Sequence, residues 1–89
     1  MSQVSVDAEE LREFSDSLRM YIYNVSEVLM TMREIYSQLD HEWDDDSKEE
    51  FINSYEKTRM VLQSVKEALG QTTHDIREMA TIIEQYANI

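Results

Sequence analysis

The sequence contains no cysteine and no proline, and one glycine among its 89 residues. Without cysteine there is no disulfide framework, no thiol nucleophile and no thiolate-bound zinc. Without proline, and with a single glycine, there is little punctuation for a fold of many strands, since each strand needs a turn. Basic residues are also few: eight Lys and Arg stand against nineteen Asp and Glu, for a formal net charge of −11. Nucleic acid and anionic lipid are poor partners for such a chain, because both are held through basic patches. The charge suits solubility, or a partner with a basic surface. No apolar run approaches the roughly 20 residues that cross a bilayer, so no membrane insertion is expected. The first residues lack the basic-then-apolar order of a general secretory signal peptide.

What is present is helical rhythm. Apolar residues make up 42% and charged residues 30%, the mixture of an amphipathic helical protein. Leu11, Phe14, Leu18, Tyr21, Val25, Val28, Met32, Ile35 and Leu39 recur at alternating spacings of three and four, as the a and d positions of a long packed helix do. Ile22, Leu29, Tyr36 and Trp43 follow one flank of that stripe at spacing seven. Met20, Tyr23 and Met30 make a weaker patch on the far side, and Arg12, Arg19 and Arg33 share a line of their own. A second stripe runs through Phe51, Tyr55, Leu62, Val65, Leu69, Ile76, Met79, Ile83 and Tyr86, with Thr58 and Thr72 at inward-facing positions and Val61, Ala68, Ile82 and Ile89 on its flank.

Residues Leu39 to Phe51 interrupt the two patterns and hold the only Trp and seven of the nineteen acids. Asp7 with Glu10 predicts a capped start for the first helix, and Val6 and Leu11 fall at the positions of a hydrophobic staple. Asp46 with Glu49, or Ser47 with Glu50, predicts the start of the second. The chain therefore reads as one all-α domain over residues 1–89, an antiparallel two-helix hairpin. Helix one is expected over about 7–43, a turn over about 44–46 and helix two over about 47–87. Gly70 beside Thr72 and Thr73 marks the softest point of helix two. A lone hairpin of this size buries too little, and it has no staples, so pairing into a four-helix bundle is expected. Tyr21, Ile22, Val25, Leu29, Met32, Tyr36, Val61, Leu62 and Ile82 are the candidate partner contacts.

Catalytic and metal chemistry find little footing. Aligned on Asp40, Glu42 and Asp44, the acidic run starts like a calcium loop, but Asp45 stands where that loop needs Gly and Phe51 where it needs Glu. His41 and His74 have no ligand-like neighbours at repeating spacing. No Ser, Thr or Tyr sits in a nucleophile motif. Adjacent carboxylates such as Glu9 and Glu10 diverge on a helix. No enzyme, cofactor or metal is expected.

Leu39, Trp43 and Asp45, with Phe51 eight residues after the Trp and Tyr55 four further on, resemble the WXG family of small type VII secretion proteins. Those are helical hairpins of about this length, with Trp-x-Gly at the turn and an aromatic residue early in helix two. Asp45 stands where that family has Gly. The family's secretion signal, Tyr-x-x-x-Asp/Glu after helix two, would start at Tyr86, and its acidic half would fall one residue past Ile89. The resemblance implies a protein that acts as a dimer with itself or a related hairpin. It would be a secreted substrate, or the small companion of a larger effector such as a Leu-x-Gly toxin. It further implies residence in the bacterial cytoplasm, export through a type VII system, or both. A cytoplasmic helical adaptor or structural coiled coil, unrelated to secretion, is the competing expectation.

Overall fold

The computed structural model describes residues 7 to 87 and consists of two helices, α1 (Ala8–Glu42) and α2 (Lys48–Ala87), folded back on each other. This is the helical hairpin, 67 Å long and 21 by 16 Å across. Residues 1–6, with the Val6 of the expected staple, and the flanking Ile89 lie outside the described residues. Asp7 caps α1 from an extended backbone, its carboxylate accepting the Glu9 amide at 2.9 Å. This satisfies one of the amide groups that a helix start leaves without an internal partner. The antiparallel arrangement is tied at both ends by ion pairs: Lys48 Nζ to Asp40 Oδ1 at 3.0 Å near the turn, and Arg12 to Glu84 at the far end.

The seam between the helices differs from the expected one. On α1 the residues turned toward α2 are Leu11, Ser15, Leu18, Ile22, Val25, Leu29, Met32, Tyr36, Leu39 and Trp43, all buried or half-buried. Every second member belongs to the stripe read from the sequence. The others are Ser15 and the Ile22–Leu29–Tyr36–Trp43 flank, and Phe14, Tyr21, Val28 and Ile35 are left exposed. On α2 the seam shifts in the same sense. Thr58 and Thr72 are exposed and not inward-facing, while Thr73 and Ala80 are buried.

The physical reason lies in side-chain size. Ser15, Thr73 and Ala80 are small and buried, so the backbones can approach closely in the half of the hairpin away from the turn. A Phe in place of Ser15 at the seam would hold them apart. The buried hydroxyls cost little, because Ser15 Oγ donates to the Arg12 carbonyl at 3.2 Å and Thr73 Oγ1 to the Leu69 carbonyl at 2.8 Å. The result is a thin core. Among the described residues, the only large apolar side chain counted as buried is Leu18. α2 passes through Gly70 as continuous helix, and a Cβ added there would meet nothing within 4 Å.

Candidate functional site: the turn and the uncharged face

The turn is built around one carboxylate. Trp43 closes α1, its amide donating to the Leu39 carbonyl at 2.8 Å from an extended conformation. Its indole Nε1 donates to Asp45 Oδ1 at 2.7 Å. The same oxygen accepts the Ser47 amide at 2.8 Å and the Ser47 hydroxyl. The Asp45 carbonyl takes the Lys48 amide at 3.1 Å, which starts α2. The Asp45 side chain thus holds the turn that leads into α2, and Ser47 stands at the cap position, its carbonyl accepting the Phe51 amide at 3.2 Å. No described non-glycine residue has a positive φ, so Asp45 fills the position of the family's Gly without left-handed backbone. Its carboxyl is held below the usual carboxylate range by the Ser47 hydroxyl, then by the Trp43 indole and the Ser47 amide, all of which favour the charged form. Lys48 Nζ completes the corner by donating to the free Asp40 carbonyl at 3.1 Å.

Behind the turn, Trp43, Phe51, Tyr55 and Tyr36 form an aromatic ladder. Ring centroids are 5.0 Å apart for Trp43 and Phe51, 6.4 Å for Phe51 and Tyr55, and 4.5 Å for Tyr36 and Tyr55. Such pairs contribute about 0.5–1.5 kcal/mol each beyond area burial. The five turn residues singled out in the sequence, Leu39, Trp43, Asp45, Phe51 and Tyr55, thus meet at one end of the molecule. Trp43 is half-buried, with its ring against Phe51 and its polar edge on Asp45.

Of the candidate partner contacts, Ile22, Val25, Leu29, Met32, Tyr36 and Leu62 are half-buried on the hairpin's own seam, whereas Tyr21, Val61 and Ile82 are exposed. Tyr86, near the end of α2, is also exposed. Four residues that the sequence places in the packed stripe form instead an outward line. Phe14, Tyr21, Val28 and Ile35 follow each other at spacing seven and are 53%, 59%, 49% and 50% exposed. Between them run Ser17, Asn24, Thr31 and Gln38, so that side of α1 carries no charge from Phe14 to Gln38. On α2 the matching side runs through Phe51, Ser54, Thr58, Val61, Val65, Ala68, Thr72, Asp75, Met79, Ile82 and Tyr86, with Asp75 its single charge.

Both sides belong to one face. An antiparallel pair of right-handed helices turns equivalent flanks to the same side, and Met32, Ile35, Phe51, Ser54, Tyr55 and Thr58 line one open groove between them. One charge on this whole face, in a chain that is 30% charged, is the signal that could have found it in the sequence. Water-facing helix surfaces are normally where charges collect. Contiguous apolar surface rimmed by polar groups marks an interaction site.

Neither pocket nor cluster offers chemistry. Among the described residues no three His, Asp or Glu side chains are gathered to hold a metal ion, and no helix is long and apolar enough to cross a membrane. The His74–Glu78 pair, at 3.3 Å, lies in solvent on one helix.

The hairpin is similar to a solved structure, Geobacillus thermodenitrificans EsxA in crystal form I. The TM-score is 0.84, the sequence identity 23%, and the match covers 99% of this chain and 95% of that one. The two share a fold. No family model matches the chain, and no curated protein matches it in sequence.

Proposed function

We infer that this chain is a WXG-like type VII secretion protein that works as a pair of hairpins, either two copies or one copy with a related hairpin. In this role it would be a secreted substrate or the small companion of a larger effector such as a Leu-x-Gly toxin. The observation that carries the reading is the uncharged face of Phe14, Tyr21, Val28 and Ile35 with Val65, Met79 and Tyr86. A hairpin with so thin a core gains stability by covering that face, and a second hairpin covers it along its full length. The Trp43 turn, which resembles that of the WXG family, and the fold shared with EsxA support the reading of this pairing as part of secretion.

The pairing contacts in this reading are the exposed residues of that face, with Val61 and Ile82 at its edge. Ile22, Val25, Leu29, Met32, Tyr36 and Leu62 act one step back, by holding each hairpin together. The test is export from a host carrying a type VII system, with and without its membrane ATPase, read by immunoblot of the culture medium. Release that needs the ATPase, or retention with release of a co-purifying larger protein, supports the reading. Export unchanged in the ATPase-deficient strain, with no partner affected, would refute it and leave the helical adaptor.

A further inference from the structure

The side of the hairpin opposite the uncharged face has a different character. Ser26, Leu29, Met30 and Arg33 of α1 and Tyr55, Arg59, Gln63 and Lys66 of α2 line a second open groove between the helices. Three of the chain's eight cations therefore converge on one groove in a protein of net charge −11. Arg59 has an ion-pair partner, Glu56 at 2.9 Å, which also holds its guanidinium above the ordinary value through that hydrogen bond and charge. Exposed apolar side chains flank these cations: Met30 within the groove and Tyr23 seven residues before it on the same line of α1. Unbranched Met side chains repack readily around another surface.

We propose that this groove receives an acidic amphipathic helix from another protein. The apolar stripe of that helix lies on Met30 and Tyr23, and its carboxylates on Arg33, Arg59 and Lys66. The groove between two long antiparallel helices has the shape that takes a third helix. Its charge selects the occupant: on a strongly acidic chain, a local basic groove attracts an acidic segment while the remaining surface repels it. The stretch from Tyr23 to Arg33 matches about three turns of such a helix. Because the two grooves lie on opposite sides of the seam, a hairpin already paired through its uncharged face still offers this one. The assembly is then bivalent, pairing through one face and docking an acidic helix on the other. A lipid headgroup or nucleic-acid phosphate is a weaker candidate, since either would meet the rest of an acidic surface.

The probe is a synthetic three-heptad peptide with Leu at three-four spacing and Glu elsewhere, with a Lys version as control. Binding to the full chain is followed by fluorescence anisotropy, and peptide helicity by circular dichroism. The Glu peptide binds, gains helicity on binding and weakens as salt rises; the Lys peptide does not compete. A variant carrying Arg33→Gln, Arg59→Gln and Lys66→Gln lowers affinity at least tenfold and sediments like the native protein. Met30→Ser with Tyr23→Ser lowers it without changing charge, and serves if the triple variant misfolds. Asn53→Asp, exposed and away from both grooves and the seam, leaves it unchanged. Equal affinity for all variants, loss of binding through Asn53→Asp alone, or capture of phosphatidylglycerol vesicles in preference to the Glu peptide would overturn the proposal.

Discussion

Val28 and Leu29 are neighbours with opposite duties, so glutamate at each should fail in different ways. Val28 is 49% exposed on the hairpin by itself and lies on the uncharged face; Leu29 is half-buried on the seam. In a pair, Val28→Glu places a carboxylate in an apolar contact with no cation on that face to meet it. The cost is on the order of 3 kcal/mol per copy, and twice that in a pair of identical chains. At 1.4 kcal/mol per factor of ten, association of identical chains should weaken by roughly four orders of magnitude. The hairpin seam is untouched, so helicity persists, or is recovered by raising the protein concentration. Leu29→Glu instead drives a charge between α1 and α2 and should lower helicity at every concentration. Sedimentation equilibrium and circular dichroism over a hundredfold range of concentration separate the two. If Val28→Glu left association intact while Leu29→Glu produced well-folded single hairpins, the assignment of the two faces would be refuted.

Trp43→Ala should cost about 2 kcal/mol in thermal or chemical unfolding, roughly half the 3–5 kcal/mol of a wholly buried aromatic, because Trp43 is half-buried against Phe51. The Asp45 carboxyl has a lowered folded-state value, so its stabilisation is complete above the unfolded value near 3.8 and disappears as pH falls through the folded one. Trp43 emission and melting temperature should therefore drop on acidification below about pH 4, and Asp45→Asn should flatten that acid limb of the profile. Gly70→Ala should stabilise the protein by up to about 1 kcal/mol, since the site is helical and an added methyl meets nothing within 4 Å. A lower melting temperature for Gly70→Ala would place a partner or a functional bend at that point.

The hairpin was legible because its signals agree. Two three-four patterns, an acidic break and an absence of Pro leave a chain of this length few alternatives. The inward side of each helix was not legible, because α1 carries two apolar lines that share Leu11, Leu18, Val25, Met32 and Leu39. Hydrophobicity favours Phe14, Tyr21 and Val28 for the core, but close approach of the backbones favours small Ser15 with Thr73 and Ala80. Only the packed pair of helices decides between them. The turn residues were legible as a group, through Trp43 and its spacing to Phe51 and Tyr55. The turn-holding role of Asp45 was not, since three acids in a row offer three equal candidates and geometry alone selects the one that reaches both the indole and the Ser47 amide. The basic groove stayed hidden because Arg33 and Lys66 are distant in sequence and meet only across the hairpin.

The central claim is that the uncharged face is covered in the working protein. Native mass spectrometry at low micromolar concentration, on the chain alone and mixed with helical-hairpin proteins encoded beside it, tests this most directly. A species of twice 10.6 kDa, or a one-to-one complex with such a neighbour, is the predicted result. A folded 10.6 kDa monomer in every mixture, with Tyr21 and Val28 as accessible as in the isolated hairpin, would contradict it.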